Sequence, residues 1–119
     1  MRMEGRYTVE DKQELEETAM QIILHSGDAR AKADEAMAAA KRGDFEAADV
    51  ALNEAVERIA QAHRSQTDII QKEAGGHSYP YSILFAHAQD TMMTIDLEIR
   101  LTRNMVDIVR IAKGEDVHA

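Results

Sequence analysis

The segment ILFAHAQDTMMTIDLEIRL, residues 83–101, decides the fold. Residues three or four positions apart share one face of a helix, and this segment repeats a set of side chains at that spacing. The resulting seam is Ile83, His87, Asp90, Thr94, Leu97 and Leu101. An imidazole and a carboxylate therefore stand where an apolar seam requires aliphatic side chains. Because buried polar groups cost free energy unless they have partners, their presence needs a structural or functional reason.

The part of the chain before this segment predicts a long first helix. With six Gly and one Pro in 119 residues, few positions can end a helix. The first helix is predicted from Thr8 or Val9 to Lys41, with Thr8 as its N-cap. Ser26 and Gly27 interrupt its pattern, and we expect them to weaken or bend the helix there.

Other glycines and the single proline mark the ends of two further predicted helices. Gly43 suits a left-handed helix end and Asp44 suits the N-cap of a second helix, predicted over residues 45–73. The loop AGGHSYPYS, residues 74–82, separates it from a third helix. We predict that the third helix runs from about Tyr81 to Ala112 or Lys113.

These segments predict an all-α single domain over residues 1–119. Short links favour antiparallel neighbours, so the expected architecture is an antiparallel up-down-up three-helix bundle. A helix of about 30 residues is about 45 Å long, and three such helices form a thin rod with much exposed surface. Self-association is expected to bury more of that surface.

Composition excludes several classes of function. The formal net charge of −8, with scattered Lys and Arg, argues against a nucleic-acid partner. The charge suits a basic protein partner, but the simpler interpretation is that the acidic residues keep a helical protein soluble. There is no cysteine, so disulfides and thiolate zinc sites are excluded. The sequence shows no apolar secretion signal and no apolar run of about 18 residues. We therefore expect a cytoplasmic protein without direct membrane insertion.

The strongest candidate for chemistry is the pair formed by His87 and Asp90. Their i,i+3 spacing places them on one helical face, close enough to share a ligand or a hydrogen bond. The pattern leaves three interpretations open: a satisfied polar pair in the core, a metal site, or a catalytic site. Gln89 adds an amide that can donate or accept. The other histidines are more simply explained as surface or hydrogen-bonded residues: His25, His63, His77 and His118.

Three stretches resemble a known family. They are ILFAHAQDTMMT (residues 83–94), ILHSGDARAKADEAMAAAKRGDFEAA (23–48) and AHRSQTDIIQKEAGG (62–76). Together they are similar to the lactose/cellobiose-type enzyme IIA of the bacterial phosphoenolpyruvate-dependent sugar phosphotransferase system. The resemblance covers about residues 13–112, in the order and spacing of the family.

The resemblance implies a function and an assembly. The protomer is expected to form a homotrimer of nine helices, with His87 as the phosphoryl acceptor and donor and Gln89 lining the phosphate site. Asp90 of each subunit is expected to bind Mg²⁺ or another divalent cation on the trimer axis, and no cofactor beyond this ion is implied. The phosphoryl group is expected to come from the phosphocarrier HPr and to pass to a cysteine of the cognate enzyme IIB during uptake of a β-linked disaccharide.

One residue departs from the family pattern. Family members commonly continue the motif HAQD with a second histidine, where this chain has Thr91. If that histidine orients the phosphorylated ring or binds partners, this chain transfers more slowly or serves another partner. An alternative function is therefore a trimeric scaffold or regulatory protein that kept the fold and lost the transfer.

Overall fold

A computed structural model of the protein describes residues 2–3 and 7–115, and it confirms a fold of three long helices. The helices are α1 (Val9–Lys41), α2 (Phe45–Ala74) and α3 (Ile83–Ala112). Two short strands precede them, β1 (Arg2–Met3) and β2 (Tyr7–Thr8), paired antiparallel. This strand pair was not predicted, because the helical periodicity of the sequence carries no signal for it.

The predicted cap of α1 is confirmed. The Thr8 hydroxyl accepts a hydrogen bond from the Asp11 backbone N–H at 3.0 Å, and the Asp11 carboxylate accepts one from the Thr8 backbone N–H at 2.8 Å. This reciprocal pair is a capping box, which satisfies two backbone donors at the start of the helix. It fixes the point at which the extended chain turns into α1.

The other helix ends follow the same local chemistry. Gly43 has φ of +82°, the left-handed conformation predicted for a helix end, and the Asp44 carboxylate accepts from the Ala47 N–H at 3.1 Å. The predicted start of α3 at Tyr81 is wrong by two residues. Ser82 is the N-cap, since its hydroxyl accepts from the Phe85 N–H at 3.0 Å and α3 begins at Ile83.

Helix α1 passes through Ser26 and Gly27 without a break. Ser26 is fully buried, and the residues on either side of it along the inner face, Ile22 and Ala29, are buried too. Packing on that face compensates for the weak helix propensity of serine and glycine. The predicted weakening at this point therefore does not interrupt the helix.

Small side chains let the helices pack closely along the core. Between α1 and α2 the buried residues are mostly alanines, and α3 adds larger aliphatic side chains such as Met92 and Ile95. Salt bridges join the start of α1 to the end of α2 (Glu14 to Lys72, 2.6 Å) and the start of α2 to the end of α3 (Asp49 to Arg110, 2.6 Å). The result is a rod of 63 × 21 × 17 Å.

Arg110 is a buried cation that stabilises the end of the rod distant from His87. Its guanidinium donates to Asp49 at 2.6 Å and lies 5.1 Å from the centre of the Phe45 ring. We expect Arg110→Ala to lower the free energy of unfolding by about 2–3 kcal/mol, because it removes a charge-assisted hydrogen bond and the packing of the long side chain. Urea unfolding monitored by circular dichroism measures the change.

A matched control is Arg64→Ala. Arg64 forms an ion pair with Glu57 at 3.5 Å, but both side chains are largely exposed. An exposed pair of this kind contributes little, so we expect a change within about 0.5 kcal/mol. Equal effects of the two variants would show that burial of Arg110 does not contribute to stability.

Candidate functional site

The seam of residues 83–101 lies on the outside of the protomer. Each of its six residues is exposed, and Ile83 is 77% exposed and Leu97 56%. The face of α3 that packs on α1 and α2 is a different one, formed by Ala88, Met92, Ile95, Ile99, Thr102, Val106 and Arg110. Helix α3 therefore has two faces with helical periodicity, of which the protomer covers one.

The exposed face continues to the end of α3. The seam positions, which alternate in steps of four and three residues, continue with three more exposed residues: Asn104, Ile108 and Ile111. Ile108 is 64% exposed, and Met93 and Met105 flank the stripe. An alternation of this kind is typical of the contact seam of a coiled coil. We call the nine residues the α3 seam: Ile83, His87, Asp90, Thr94, Leu97, Leu101, Asn104, Ile108 and Ile111.

His87 and Asp90 present free polar groups on the α3 seam. Both are exposed, and among residues 7–115 neither side chain has a hydrogen-bond or ion-pair partner. The interpretation as a satisfied polar pair in the core is therefore wrong, because the seam that holds them does not face the core. An exposed imidazole without a partner is free to react, and an exposed carboxylate is free to bind a cation.

Two threonines bind the backbone beside this pair. The Thr91 hydroxyl donates to the carbonyl oxygen of His87 at 2.8 Å, and the Thr94 hydroxyl donates to that of Asp90 at 2.8 Å. Such bonds to the preceding turn are a common way for threonine to satisfy its hydroxyl within a helix. The hydroxyl proton of Thr91 is therefore engaged in a hydrogen bond to the backbone carbonyl of His87.

Gln89 lies on another side of α3. Residues two positions apart on a helix are separated by about 200° around its axis, so Gln89 and His87 do not share a face. Gln89 instead lines a surface cavity of about 360 Å³, together with Leu15, Tyr79 and Phe85. Within one protomer the structure does not bring Gln89 to His87.

A polar cluster lies where the loop before α3 meets α1, and no pattern in the sequence indicates it. The Tyr79 hydroxyl donates to Glu14 at 2.5 Å, and the Lys72 ammonium donates to the same carboxylate at 2.6 Å. His77 lies 2.8 Å from the Asp11 carboxylate, and its ring packs 4.6 Å from that of Tyr79. These contacts attach the loop that precedes α3 to the first turns of α1.

The charges of this cluster shift its ionisation. Hydrogen bonds from Lys72 and then Tyr79 hold the pKa of the Glu14 carboxyl below its usual value. The backbone N–H of Thr8 chiefly lowers the pKa of Asp11. Burial, followed by the hydrogen bond to Glu14, raises the pKa of the Tyr79 hydroxyl.

Asp11, Glu14 and His77 offer ligand atoms within 4.8 Å of one another, which is compact enough for a metal ion. Each carboxylate is already engaged, however, since Asp11 accepts from Thr8 and Glu14 accepts from Lys72. A metal would have to displace the ammonium group of Lys72 from Glu14. The cluster is therefore explained by its own hydrogen bonds.

We expect Tyr79→Phe to destabilise the protein by about 1 kcal/mol at neutral pH, because it removes a hydrogen bond to a carboxylate on the protein surface. The folded state depresses the pKa of Glu14, so this stabilisation is present above the ordinary carboxyl pKa and is lost as pH falls through the folded value. Urea unfolding at neutral and acidic pH measures both effects. If Tyr79→Phe lowers the free energy of unfolding as much in acid as at neutral pH, then Tyr79 does not stabilise the protein through the ionised carboxylate of Glu14.

None of the other histidines within residues 7–115 joins the site. His25 is half-buried on α1, and the His63 ring lies 4.0 Å from the Asp96 carboxylate across the α2–α3 contact. His77 is exposed, as predicted, but it belongs to the loop cluster. His118 lies outside the described residues.

Fold and site together define a class of protein with three long helices. Its third helix presents an exposed histidine and an exposed aspartate, neither of which has a side-chain partner within residues 7–115. A family model described as the phosphotransferase system lactose/cellobiose-specific IIA subunit matches residues 17–110. The chain belongs to this family, as the resemblance predicted.

Characterised relatives agree with this assignment. The lichenan-specific phosphotransferase enzyme IIA component of Bacillus subtilis is 48% identical over 81 residues, which cover 68% of this chain and 74% of the relative. The lactose-specific EIIA component of Lactococcus lactis is 37% identical over 100 residues, which cover 84% of this chain and 95% of the relative.

Solved structures of similar proteins share the fold. The cellobiose-specific enzyme IIA from Bacillus anthracis superimposes with a TM-score of 0.81 at 37% identity, over 86% of this chain and 94% of that one. The chitobiose IIA of Escherichia coli, solved in complex with HPr, gives 0.74 at 34% identity, over 83% and 96%. Among the described residues, no helix of this chain is long and apolar enough to cross a membrane.

Proposed function

We propose that this protein is the phosphoryl carrier of a sugar phosphotransferase system, with His87 as the residue that carries the phosphoryl group. The donor is HPr, and the acceptor is a cysteine of the cognate enzyme IIB during uptake of a β-linked disaccharide of the lactose, cellobiose or chitobiose type. The observation that supports this most is the exposed ring of His87, which has no partner in the described part of the chain, in a member of the enzyme IIA family. The relative solved in complex with HPr supports the choice of donor.

The chemistry requires little besides an accessible nucleophile. A neutral ring nitrogen of His87 attacks phosphorus, the new N–P bond forms, and the bond from phosphorus to the donor breaks. In a second exchange a thiolate of enzyme IIB attacks the phosphorus, the S–P bond forms, and the N–P bond breaks to release the imidazole of His87. In-line transfer between two positioned nucleophiles depends mainly on orientation and electrostatic support, so a large catalytic apparatus is unnecessary.

The assembly proposed for this function is a homotrimer of antiparallel up-down-up protomers, nine helices in all. The uncovered α3 seam supports it, because three copies of the seam can bury their apolar side chains against one another around a common axis. In such a trimer His87 lies at the edge of the seam, in the groove between neighbouring subunits. Gln89 is proposed to line the phosphate site only across a subunit contact, because within one protomer it lies on another side of α3 from His87.

Asp90 is proposed to hold a divalent cation on the axis of the trimer. A single exposed carboxylate binds a divalent ion weakly, whereas three symmetry-related carboxylates together offer the oxygen ligands that Mg²⁺ prefers. The residue fits this role, since its carboxylate is exposed on the seam and has no partner among residues 7–115. The ion neutralises charges that otherwise repel one another in an apolar contact.

The acidic surface supports docking of basic partners. With a net charge of −8, the protein attracts a positively charged face of HPr or enzyme IIB and repels nucleic acid. Each transfer step needs a transient complex, and the interface of such a complex typically buries a modest surface area. We also propose a cytoplasmic location, because a phosphoryl carrier must meet soluble protein partners.

The experiment that tests the function is a reconstituted relay. Purified protein is incubated with phosphoenolpyruvate, enzyme I and HPr, and its intact mass is measured before and after addition of enzyme IIB. We expect a gain of one phosphoryl group per chain, followed by its loss to enzyme IIB. An unchanged mass, with HPr demonstrably phosphorylated, would contradict the carrier role.

A second function is a trimeric scaffold or regulatory protein that no longer transfers phosphate. Thr91 supports it, because the family commonly has a histidine at this position and the Thr91 hydroxyl is used by the backbone. Formation of a trimer without phosphorylation by HPr would favour this alternative. Its mass in solution and the relay experiment therefore separate the two functions.

A further inference from the structure

A groove between α2 and α3 lies beside the α3 seam. It has a volume of about 400 Å³, and its walls include the apolar side chains of Val56, Ile59 and Ile99. Two cationic side chains, Arg100 and Arg103, line it as well. A surface that combines apolar groups with charged groups at its edge is typical of a contact between proteins. We call this surface the α2–α3 groove.

The two flanks of α3, on either side of the seam, face different helices of the protomer. Glu98 bonds to Arg30 of α1 at 2.7 Å, so its flank faces α1. Met105 lies on the same flank, because a helix returns to the same side about every seven residues. Arg103 lies on the other flank, since it lines the α2–α3 groove together with residues of α2.

A ring of three identical chains joins unlike surfaces at every contact. In the proposed trimer the flank of α3 that faces α1 in one subunit meets the flank that faces α2 in the next, because positions beside a coiled-coil seam face the neighbouring helix. We infer that the α2–α3 groove binds the neighbouring subunit, which inserts its Met105 and presents its Asp34 to Arg103. This inference rests on the proposed trimer.

Met105 suits the groove in position and in chemistry. Its side chain is 46% exposed in the protomer. Residues that flank a parallel seam meet residues about five positions earlier on the neighbouring helix, which for Met105 is Arg100 of the groove. An unbranched thioether adapts to irregular apolar walls such as those formed by Val56 and Ile99. The contact therefore continues the α3 seam outwards onto α2 of the next subunit.

The two flanks also carry complementary charges. Within residues 7–115 Arg103 has no hydrogen bond or ion pair, and neither has Asp34, which is exposed on α1 one turn after Arg30. In the proposed up-down-up protomer α1 and α3 run in the same direction, so the bond between Arg30 and Glu98 places Asp34 at about the height of Arg103. Such a pair between subunits adds specificity more than stability.

The absence of native cysteine makes this contact measurable with single cysteines. Met105→Cys chains and Val56→Cys chains are mixed, unfolded, refolded together with Mg²⁺ and treated with a short thiol-specific cross-linker. A link between the two positions joins two chains, because each chain has one cysteine. Met20→Cys replaces Met105→Cys in the matched control, since Met20 is also 46% exposed but lies on α1. We expect mass spectrometry to find the mixed link with Met105→Cys and only background levels with Met20→Cys.

Exchange of the two charges tests the pair itself. We expect Arg103→Asp to raise the protein concentration at which half of the chains are trimeric by about tenfold, because three attractive contacts become repulsive. Asp34→Arg in the same chain reverses the pair and is expected to restore that concentration to within about twofold of wild type. Arg58→Asp is the matched control, since Arg58 follows Glu54 by one turn on the side of α2 where Glu54 pairs with Lys32 of α1. Sedimentation equilibrium measures all four proteins.

The outcomes separate this inference from the proposed function. If the wild-type chain is trimeric and the mixed link stays at the level of the Met20→Cys control, the inference is wrong while the proposed trimer stands. The same holds if Asp34→Arg does not restore the Arg103→Asp trimer. If the wild-type chain is itself monomeric in solution, the proposed trimer and the inference both fail. A trimeric wild type with the mixed link and the restored charge pair supports both.

Discussion

His87→Gln is expected to abolish acceptance of the phosphoryl group from HPr. Glutamine is similar in size and polarity, but its amide nitrogen is not a nucleophile, so no N–P bond can form. Because His87 is exposed and has no side-chain partner among residues 7–115, the substitution removes no contact that holds the fold. The measurement is the intact mass after incubation with phosphoenolpyruvate, enzyme I and HPr, for which we expect no gain in the variant.

A control variant tests whether the loss is specific. His63→Gln changes another incompletely buried histidine, whose ring lies 4.0 Å from the Asp96 carboxylate across the contact between α2 and α3. It is expected to gain one phosphoryl group as the wild type does. The chemical stability of the product is a second check, because a phosphoramidate is labile in acid and stable in alkali. Phosphorylation of the His87→Gln chain at wild-type level would place the carrier function on another residue.

The helix ends were predictable because their chemistry is local. Thr8, Gly43 and Asp44 each act on backbone groups within three or four residues, so the sequence pattern alone identifies them. Ser82 shows the limit of such predictions. The residues of the loop AGGHSYPYS offer several possible helix starts, and the predicted start lies two residues too early.

The sequence could not decide which face of α3 meets the core. The α3 seam contains larger aliphatic side chains than much of the buried face, which includes Ala88, Thr102 and Arg110. Both faces have helical periodicity, and periodicity shows that a face is apolar without showing what covers it. Only the packing of α1 and α2 distinguishes the face within the protomer from the face left for other chains.

Contacts between distant parts of the chain were also beyond the sequence pattern. Tyr79 and Glu14 are 65 residues apart, and so are Arg110 and Phe45. No spacing rule connects such residues, because their approach depends on how the three helices lie against one another. His77 was accordingly predicted to be a plain surface residue, although it pairs with Asp11.

In the absence of metal, we expect the Asp90→Leu trimer to be more stable than the wild-type trimer. We also expect that adding metal does not change the stability of the variant. In the proposed assembly three carboxylates meet in an apolar seam, where their mutual repulsion and loss of hydration are relieved only by a cation. Leucine matches the neighbouring seam residues Leu97 and Leu101. Replacing buried charges with packed apolar side chains stabilises by about 1–4 kcal/mol in comparable cases.

Two further variants separate charge from apolar packing. Asp90→Asn removes the charge and keeps a polar side chain, so it is expected to lose metal dependence with a smaller gain in stability. Asp28→Leu changes an exposed aspartate on α1, and its stability is expected to depend on metal as that of the wild type does. Chemical unfolding at one protein concentration, with Mg²⁺ or with a chelator, measures all three.

Whether Asp90→Leu raises or lowers the free energy of unfolding tests the proposed position of Asp90 on the trimer axis. If Asp90 faced solvent in the working assembly, leucine would add an exposed apolar group and would change the free energy of unfolding by no more than about 0.5 kcal/mol. If Asp90 instead bound a partner group that stabilises the trimer, the substitution would leave that group unpaired and the trimer would dissociate. A gain in stability together with the loss of metal dependence is expected only where like charges meet across a shared seam.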